Sequence, residues 1–324
     1  MPAESLGTPA LWIGFTSLIL AFLALDLGVF HRKAHSVRFT EALTWVTVWI
    51  ALALLFGLGV YFWSGPQRAL EFATGYLIEY ALSVDNVFVF LVIFSYFSVP
   101  PALQHRVLFW GIVGALVMRA VFIVLGAAIL REFHWVAYLF GAFLALTGVK
   151  LLLQRNAEVH PERNPLYRLF NHLVPSVSDY RGARFTVVEA GRRYATPLLL
   201  VLVAIEATDL MFAVDSIPAI FAVTNDPFII YTSNIFAILG LRSLFFLLAG
   251  VMEKFHYLKV GLALVLIFVG AKMLLAAIYK IPIGVSLIVV ATLLAGSIAV
   301  SLLRPRTKAA PSVPPSRATA SGSR

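Results

Sequence analysis

The chain has 324 residues, of which 60% are hydrophobic and 13% are charged, against roughly 45–50% and about 25% in soluble domains. Its mean hydropathy is +0.91. This composition excludes a soluble globular protein and predicts an all-α polytopic membrane protein. The chain contains no cysteine, which excludes disulfides, thiolate metal sites and thiol catalysis.

Nine apolar segments are long enough to be transmembrane helices, each close to the ~20 residues that cross a bilayer. They lie near residues 10–30, 42–63, 71–97, 104–128, 134–153, 196–222, 228–250, 258–279 and 282–303. Turn and proline residues separate several of them. Asp226-Pro227, for example, predicts a helix N-cap followed by proline at the first helical position.

Positively charged residues are distributed unequally between the two sides of the predicted membrane domain. With nine spans, and with residues at the span ends such as Arg106 and Lys259 counted with the adjoining loops, the N-terminal side carries three Lys and Arg residues, the other side carries eighteen, and the remaining four of the 25 lie inside spans. The positive-inside rule therefore predicts an N-terminus outside and a C-terminus in the cytoplasm. We interpret the net charge of +9 as a topology signal and expect no binding of nucleic acid.

Two segments of the chain are predicted to lie outside the membrane in the cytoplasm. The longest loop, residues 154–195, carries seven arginines, and its stretch Phe185–Tyr194 is expected to form a small hairpin around Ala190-Gly191. The tail, residues 304–324, is rich in Pro, Ser, Ala and Arg. Such a composition predicts disorder.

An internal repeat organises the membrane segments. Matching residues recur at offsets of 130, 123 and 122: Asp85 and Asp215, Arg119 and Arg242, and the tripeptides Gly148-Val149-Lys150 and Gly270-Ala271-Lys272. Each repeat holds three spans, an odd number, so the second copy must enter the membrane from the opposite side. The sequence therefore predicts two inverted three-helix repeats, an architecture in which transporters place their substrate site near the membrane midplane.

The repeat also divides the chain into predicted units. The predicted boundaries give an N-terminal helix pair in 1–70, a first repeat in 71–153, a basic cytoplasmic loop in 154–195, a second repeat in 196–280, a last helix in 281–303 and a tail in 304–324.

Two acidic stretches lie where the third and sixth spans should have their middles. Five carboxylates inside two membrane helices would cost on the order of 10 kcal/mol unless they face each other, water or a cation. We therefore interpret the two stretches as facing each other around a site for a hard divalent cation, for which oxygen ligands suit Mg, Ca and Mn. The candidate ligands are Glu79, Asp85, Asn86, Glu206, Asp209, Asp215 and Ser216.

Helical geometry brings only some of these side chains to one face. A seven-residue spacing puts Glu79 with Asn86, and Asp209 with Ser216, on a common face of each helix. Asp85 and Asp215 point roughly 120° away from those faces. We therefore expect local unwinding, for which Pro218 offers a cause in the second repeat.

Other interpretations of the buried charges stay open. The acidic residues could form structural ion pairs with the four basic residues inside spans, which are Arg119, Lys150, Arg242 and Lys272. An intramembrane aspartyl protease would use two apposed aspartates, but the glycine that usually precedes them is replaced by Val84 and Val214. Other catalytic motifs are missing from the sequence, so we expect no enzyme.

Four motifs resemble those of the TerC/Alx family of bacterial integral membrane proteins. They are Leu25-Asp-Leu-Gly-Val-Phe-His-Arg-Lys, Ser83-Val-Asp-Asn-Val-Phe, Asp215-Ser-Ile-Pro-Ala-Ile-Phe-Ala and Tyr231-Thr-Ser-Asn-Ile-Phe-Ala-Ile-Leu-Gly-Leu-Arg. The resemblance covers about residues 10–303 and implies membership of the LysE-like transporter superfamily in the bacterial cytoplasmic (inner) membrane. The acidic residues of the family correspond to Glu79, Asp85, Glu206, Asp209 and Asp215.

The resemblance implies export of Mn²⁺ from the cytoplasm, with an older association with tellurium resistance. We expect alternating access with protons exchanged at the same carboxylates, and no tightly bound organic cofactor. The expected partners are the cation, protons and the lipid bilayer, with exported metalloproteins or a homo-oligomer left open. Two other functions also stay open: a membrane scaffold of a tellurite or envelope stress-resistance complex without transport of its own, and proton-coupled export of a basic amino acid.

Overall fold

The computed structural model describes residues 6–25, 39–133, 135–153, 165–189, 191–249, 257–276 and 278–303. Within these ranges the chain forms eleven α-helices and one two-stranded sheet. The helices are α1 (Pro9–Leu25), α2 (Phe39–Ser64), α3 (Pro66–Tyr96), α4 (Pro101–Glu132), α5 (Val136–Leu153), α6 (Pro165–Leu173), α7 (Pro197–Phe221), α8 (Pro227–Leu239), α9 (Leu241–Ala249), α10 (Leu258–Leu275) and α11 (Ile283–Leu303). The strands are β1 (Thr186–Glu189) and β2 (Arg192–Ala195).

Eight helical segments of the described chain are long and apolar enough to cross a membrane. They match eight of the nine predicted spans, with α8 and α9 together forming one of them. The remaining predicted span, 10–30, begins as the shorter apolar helix α1, and its last part lies outside the described residues. The prediction of an all-α polytopic membrane protein is therefore confirmed.

The helices that carry the acidic stretches occupy the centre of the bundle. Helix α3 packs against α7, α8 and α9, and α4 packs against α7 and α8. The α8–α9 span is 78% buried, whereas α2 is 22% and α11 17% buried within the protein. Because a lipid-facing helix leaves most of its surface uncovered, α2 and α11 form the periphery and α3, α7 and α8 the core.

Helices α5 and α10 approach each other closely through small residues. A side-chain carbon at Gly148 would lie 2.6 Å from the carbonyl oxygen of Ala263, and one at Gly270 would lie 2.6 Å from that of Gly141. Membrane helices commonly pack through such residues because small side chains let their backbones meet. From Gly141 to Gly148 along α5, the contacted residue of α10 moves back from Gly270 to Ala263, so the two helices are antiparallel.

The same contacts have the pattern of a pseudo-two-fold axis. At the repeat offset of 122, Gly141 corresponds to Ala263 and Gly148 to Gly270. Gly141 contacts Gly270 while Gly148 contacts Ala263, so each residue meets the counterpart of the other, as across an isologous two-fold interface. The inverted repeat stays a prediction, and this exchange of partners supports it.

The predicted unwinding beside Asp215 is wrong. Helix α7 continues from Pro197 to Phe221 with Pro218 inside it. A proline removes one backbone hydrogen bond, but Pro218 stands one turn from the end of the helix, where residues 216–221 are all buried. Packing of this turn therefore holds the helical conformation despite the missing bond.

The predicted hairpin in the loop that follows α5 and α6 is confirmed. Strands β1 and β2 pair antiparallel, with Glu189 opposite Arg192, and Gly191 has φ 76° in the turn. Tyr180 anchors this loop to the turn between α3 and α4, because its hydroxyl donates to the carbonyl of Phe97 at 2.8 Å. Burial raises the pKa of Tyr180. The predicted disordered tail, residues 304–324, lies outside the described residues.

Candidate ion-binding site

Helices α3 and α7 face each other with the polar side chains that their seven-residue spacing predicts. Glu79 and Asn86 lie on the inner face of α3, and Asp209 and Ser216 lie on that of α7. All four are at most 3% exposed. The Asn86 amide nitrogen donates to Asp209 Oδ1 at 3.5 Å. The two regular helices thus bring together four of the seven candidate ligands without any unwinding.

Arg119 enters this centre from α4 and contacts side chains from α3, α7 and α8. Its guanidinium donates to the carboxylate of Glu79 and to Asn234 Oδ1 at 3.1 Å. It also donates to Ser216 Oγ at 3.3 Å, and its Nη2 lies 3.6 Å from Asp209 Oδ1. Arg119 is 1% exposed. With both carboxylates ionised, one guanidinium leaves the cluster with a net charge of −1.

The cluster retains hydrogen-bonding capacity that Arg119 does not use. Several of its buried side-chain atoms have no partner among the described residues: Glu79 Oε2, Asp209 Oδ2, Asn234 Nδ2 and Arg119 Nε. Buried polar atoms in native proteins are nearly always satisfied by protein groups, water or an ion. The two carboxylate oxygens are therefore positioned to bind a proton, a water molecule or a cation.

The contacts between α3 and α7 exchange partners in the same way as those between α5 and α10. At the offset of 130, Glu79 corresponds to Asp209 and Asn86 to Ser216. Asn86 bonds Asp209, and Ser216 shares the Nη1 group of Arg119 with the Glu79 carboxylate. These contacts therefore fit the same pseudo-two-fold axis that the glycine contacts indicate, and they support the predicted inverted repeat.

The other predicted ligands lie on different faces of the helices. Glu206 is half-buried against Gly114 of α4, where an added side chain would collide with its carboxylate, and it remains within electrostatic range of Asp209. Asp215 is half-buried and accepts a hydrogen bond from Thr147 of α5 at 3.5 Å. The side chain of Asp85 lies outside the described part of the structure.

The predicted ligands whose side chains are described therefore do not all lie at one site. Across the described residues, carboxylate and imidazole side chains form no group of three or more that could hold a metal ion together. The central oxygen donors instead comprise two carboxylates with amide and hydroxyl groups. The candidate ligands predicted from sequence do not include Asn234, for which the polar neighbours Thr232 and Ser233 in a membrane span were the available signal. They also do not include Thr147, for which the sequence gave little signal.

A second polar network lies near the start of α3, on the side predicted to be extracellular. Arg68 Nη1 lies 2.8 Å from Glu71 Oε2 and 3.8 Å from Asp226 Oδ2. Thr224 donates to Glu71 at 2.7 Å, and Asp226 accepts from the backbone N–H of Leu6 at 2.8 Å. The network ties α3 to the α7–α8 connection and to the N-terminal segment. Asp226 also caps α8 as predicted.

A small cavity adjoins Asp209. It has a volume of about 10 Å³ for water centres, enough for about one water molecule. Its lining includes Asp209, Arg242, Gly111 and Ala115, and Arg242 Nη1 is 3.4 Å from His105 Nε2. On α4, which rises about 1.5 Å per residue, Gly111 is nearer than Arg119 to the start of the helix. The cavity therefore faces the side predicted to be cytoplasmic.

A charged, hydrogen-bonded centre enclosed by apolar spanning helices defines a polytopic membrane protein with an ionisable core. The chain belongs to the TerC family: residues 64–309 match the integral membrane protein TerC family. The resemblance predicted from the motifs is therefore confirmed. No solved structure matches the chain.

Three relatives align over nearly their whole length. An uncharacterized membrane protein of Myxococcus xanthus is 59% identical over 302 residues, which cover 93% of this chain and 95% of the relative. A candidate membrane-bound redox modulator of Escherichia coli (strain K12), Alx, is 48% identical over 297 residues, covering 89% and 92%. An uncharacterized membrane protein of Rickettsia felis is 44% identical over 293 residues, covering 90% and 97%.

Proposed function

We propose that this protein exports divalent cations, most specifically Mn²⁺, from the cytoplasm by alternating access in the bacterial cytoplasmic membrane. The observation that supports this function is the buried Glu79–Asp209 pair, which shares one guanidinium and keeps on each carboxylate one oxygen with no partner among the described residues. Ionisable groups inside membrane spans commonly mark ion pathways. Carboxylate, amide and hydroxyl oxygens suit hard divalent cations, and the preference for Mn²⁺ comes from the family resemblance.

Charge balance explains how the protein could change conformation both with a cation bound at this centre and without one. The cluster of Glu79, Asp209 and Arg119 carries −1 when both carboxylates are ionised, so one proton makes it neutral. A divalent cation neutralises both carboxylates once Arg119 withdraws. A net charge in a low-dielectric interior is costly. The protonated cluster and the cation-bound pair are both neutral, and this favours exchange of the metal ion with a proton.

The surroundings of the centre provide the two sides that alternating access requires. The network of Arg68, Glu71 and Asp226 joins several elements on the predicted extracellular side, and would have to open for release. The cavity next to Asp209 lies on the predicted cytoplasmic side and would admit the ion. In this proposal the central site of the described conformation is directed toward the cytoplasm, and the N-terminus lies outside.

The name of the E. coli relative, a candidate membrane-bound redox modulator, is compatible with ion export by an indirect route. This chain has no cysteine, so it has no thiol of its own to oxidise or reduce. Export of a redox-active metal would instead change the metal content of the cytoplasm, which would alter the redox state of other molecules.

A membrane scaffold of a stress-resistance complex is the second candidate. It is favoured by Arg119, which contacts both carboxylates. Such a cluster can also be a purely structural polar core, because breaking a buried ion pair is strongly destabilising even when nothing is transported.

Retention of ⁵⁴Mn²⁺ in cells that express wild type, Glu79→Gln or Asp209→Asn separates the two functions. Export predicts low retention with wild type and high retention with both variants. Glu189→Gln, in the exposed hairpin, is the matched control and should behave as wild type. Equal retention in all four strains at equal protein abundance would contradict export and favour the scaffold. If either variant is poorly produced, Mn²⁺-dependent thermal stabilisation of the purified wild type replaces it, and its absence contradicts export.

A further inference from the structure

We propose that Arg119 and Arg242 are alternating internal counter-cations of the Glu79–Asp209 pair. Arg119 balances one of the two negative charges in the conformation described here, and Arg242 takes over when the site opens to the opposite side. This inference rests on the proposed export function and deepens it, because it assigns to two arginines the role of positioning residues that compete with the transported ion.

The internal repeat makes the two arginines equivalent. They stand at corresponding positions of the two repeats at an offset of 123. Arg119 contacts Glu79, Asp209 and Ser216. Replacing each partner by its counterpart in the other repeat gives Asp209, Glu79 and Asn86. The two carboxylates are common to both sets, whereas Ser216 is exchanged for Asn86, and Asn234, the fourth partner of Arg119, corresponds to a glycine. The same carboxylate pair can therefore accept either guanidinium.

The present conformation breaks this equivalence. Arg119 contacts the carboxylate pair directly, whereas Arg242 lines the small cavity that also contacts Asp209 and has His105 as a neighbour at 3.4 Å. Gly111 is the counterpart of Asn234 at the same offset of 123, and it lines this cavity beside Arg242. Arg242 therefore already adjoins the position from which the mirrored contacts would be made.

Inverted repeats give a physical reason for the exchange. Alternating access moves one repeat against the other around a fixed site, so the opposite-facing state follows when the two repeats exchange their conformations. The exchange withdraws Arg119 and brings Arg242 onto the carboxylates. One guanidinium then accompanies the pair in both end states, which leaves the same net charge of −1, and the metal ion needs to displace only one arginine.

The absence of cysteine allows a direct test with a single introduced thiol. Ala115 is buried beside the cavity on the predicted cytoplasmic side, so Ala115→Cys should react with a membrane-impermeant thiol reagent in inside-out vesicles only when that side opens further. Arg119→Gln removes the cation that favours the present conformation and should slow labelling. Arg242→Gln removes the cation that favours the opposite one and should accelerate it. A charge-assisted hydrogen bond predicts rates in the two variants that differ on the order of tenfold.

Opposite shifts are the result that only an exchange of cations predicts. A structural role for both arginines predicts that labelling changes in the same direction or not at all, and either result would overturn the proposal. Arg131→Gln, at the exposed end of α4, is the matched control and should label as wild type. If a glutamine variant does not fold, Arg119→Lys and Arg242→Lys should give smaller shifts that are still opposite. Labelling requires no Mn²⁺, so its outcome is independent of the ⁵⁴Mn²⁺ retention that tests export.

Discussion

Replacing Gly148 by alanine adds a single methyl group at the closest contact between α5 and α10. The added carbon would lie 2.6 Å from the Ala263 carbonyl oxygen and 2.7 Å from Ile267 Cγ1, whereas ordinary contacts are 3.4–4 Å. The helices must therefore separate by roughly 1 Å or distort locally. Overpacking of this kind costs about 1–3 kcal/mol. The corresponding change in the second repeat, Gly270→Ala, meets the Gly141 carbonyl oxygen at 2.6 Å and should cost a similar amount.

A control substitution removes the main complication from this comparison. Alanine is a better helix former than glycine by about 1 kcal/mol, which would mask part of the loss. Gly296 in α11 has no atom within 4 Å of an added carbon, so Gly296→Ala should report the gain alone. The difference between Gly148→Ala and Gly296→Ala therefore isolates the cost of the contact, about 1–3 kcal/mol.

Reversible unfolding of the purified protein in mixed micelles, followed by circular dichroism, measures this difference. We expect Gly148→Ala and Gly270→Ala to unfold at lower denaturant than wild type, and Gly296→Ala to unfold at the same concentration or higher. If Gly148→Ala is as stable as Gly296→Ala, the close α5–α10 approach is not a constraint. If only one of the two interface glycines is sensitive, the pseudo-two-fold relation between the contacts is refuted.

Three further predictions concern other polar contacts. Glu71→Gln weakens the ion pair with Arg68 on the predicted extracellular side, and it should raise the labelling of introduced thiols from outside; unchanged labelling contradicts a gating role. Tyr180→Phe removes the hydrogen bond to the α3–α4 turn and should lower the free energy of unfolding by about 1 kcal/mol, against no change for an exposed tyrosine. Gly114→Ala displaces the Glu206 carboxylate and should raise ⁵⁴Mn²⁺ retention at normal abundance; wild-type retention would show that Glu206 has no part in export.

The part of the site that sequence predicts correctly is the part that helical periodicity determines. A spacing of seven residues places Glu79 and Asn86 on one face of a helix, and Asp209 and Ser216 on another. The cost of bare carboxylates in a membrane then requires the two faces to meet. The structure brings these four side chains together on uninterrupted helices, so neither inference needed knowledge of the tertiary structure.

The predictions that failed or stayed incomplete depend on neighbours that sequence does not specify. Pro218 suggested an unwound helix because its local effect is unfavourable, but the packing of the final buried turn of α7 outweighs it. The prediction that Asp215 joins the central ligands needed that unwinding. Without it, Asp215 remains on the face that periodicity gives it and meets Thr147 on α5, a helix whose position only the tertiary fold determines.

The symmetric and asymmetric contacts of the centre together indicate which groups would move in the proposed exchange. Asn86 bonds Asp209, and Ser216 shares Arg119 Nη1 with Glu79, which is the exchanged pairing that a two-fold axis predicts. In the proposed swap of the repeats these groups would therefore need little movement. The two arginines are not arranged symmetrically, because Arg119 contacts the carboxylates while Arg242 lines the adjacent cavity. A swap of conformations must therefore act chiefly on the cations. In the proposed exchange the carboxylates would stay in place as a fixed anionic site, and the conformational change would alter which positive charge occupies it.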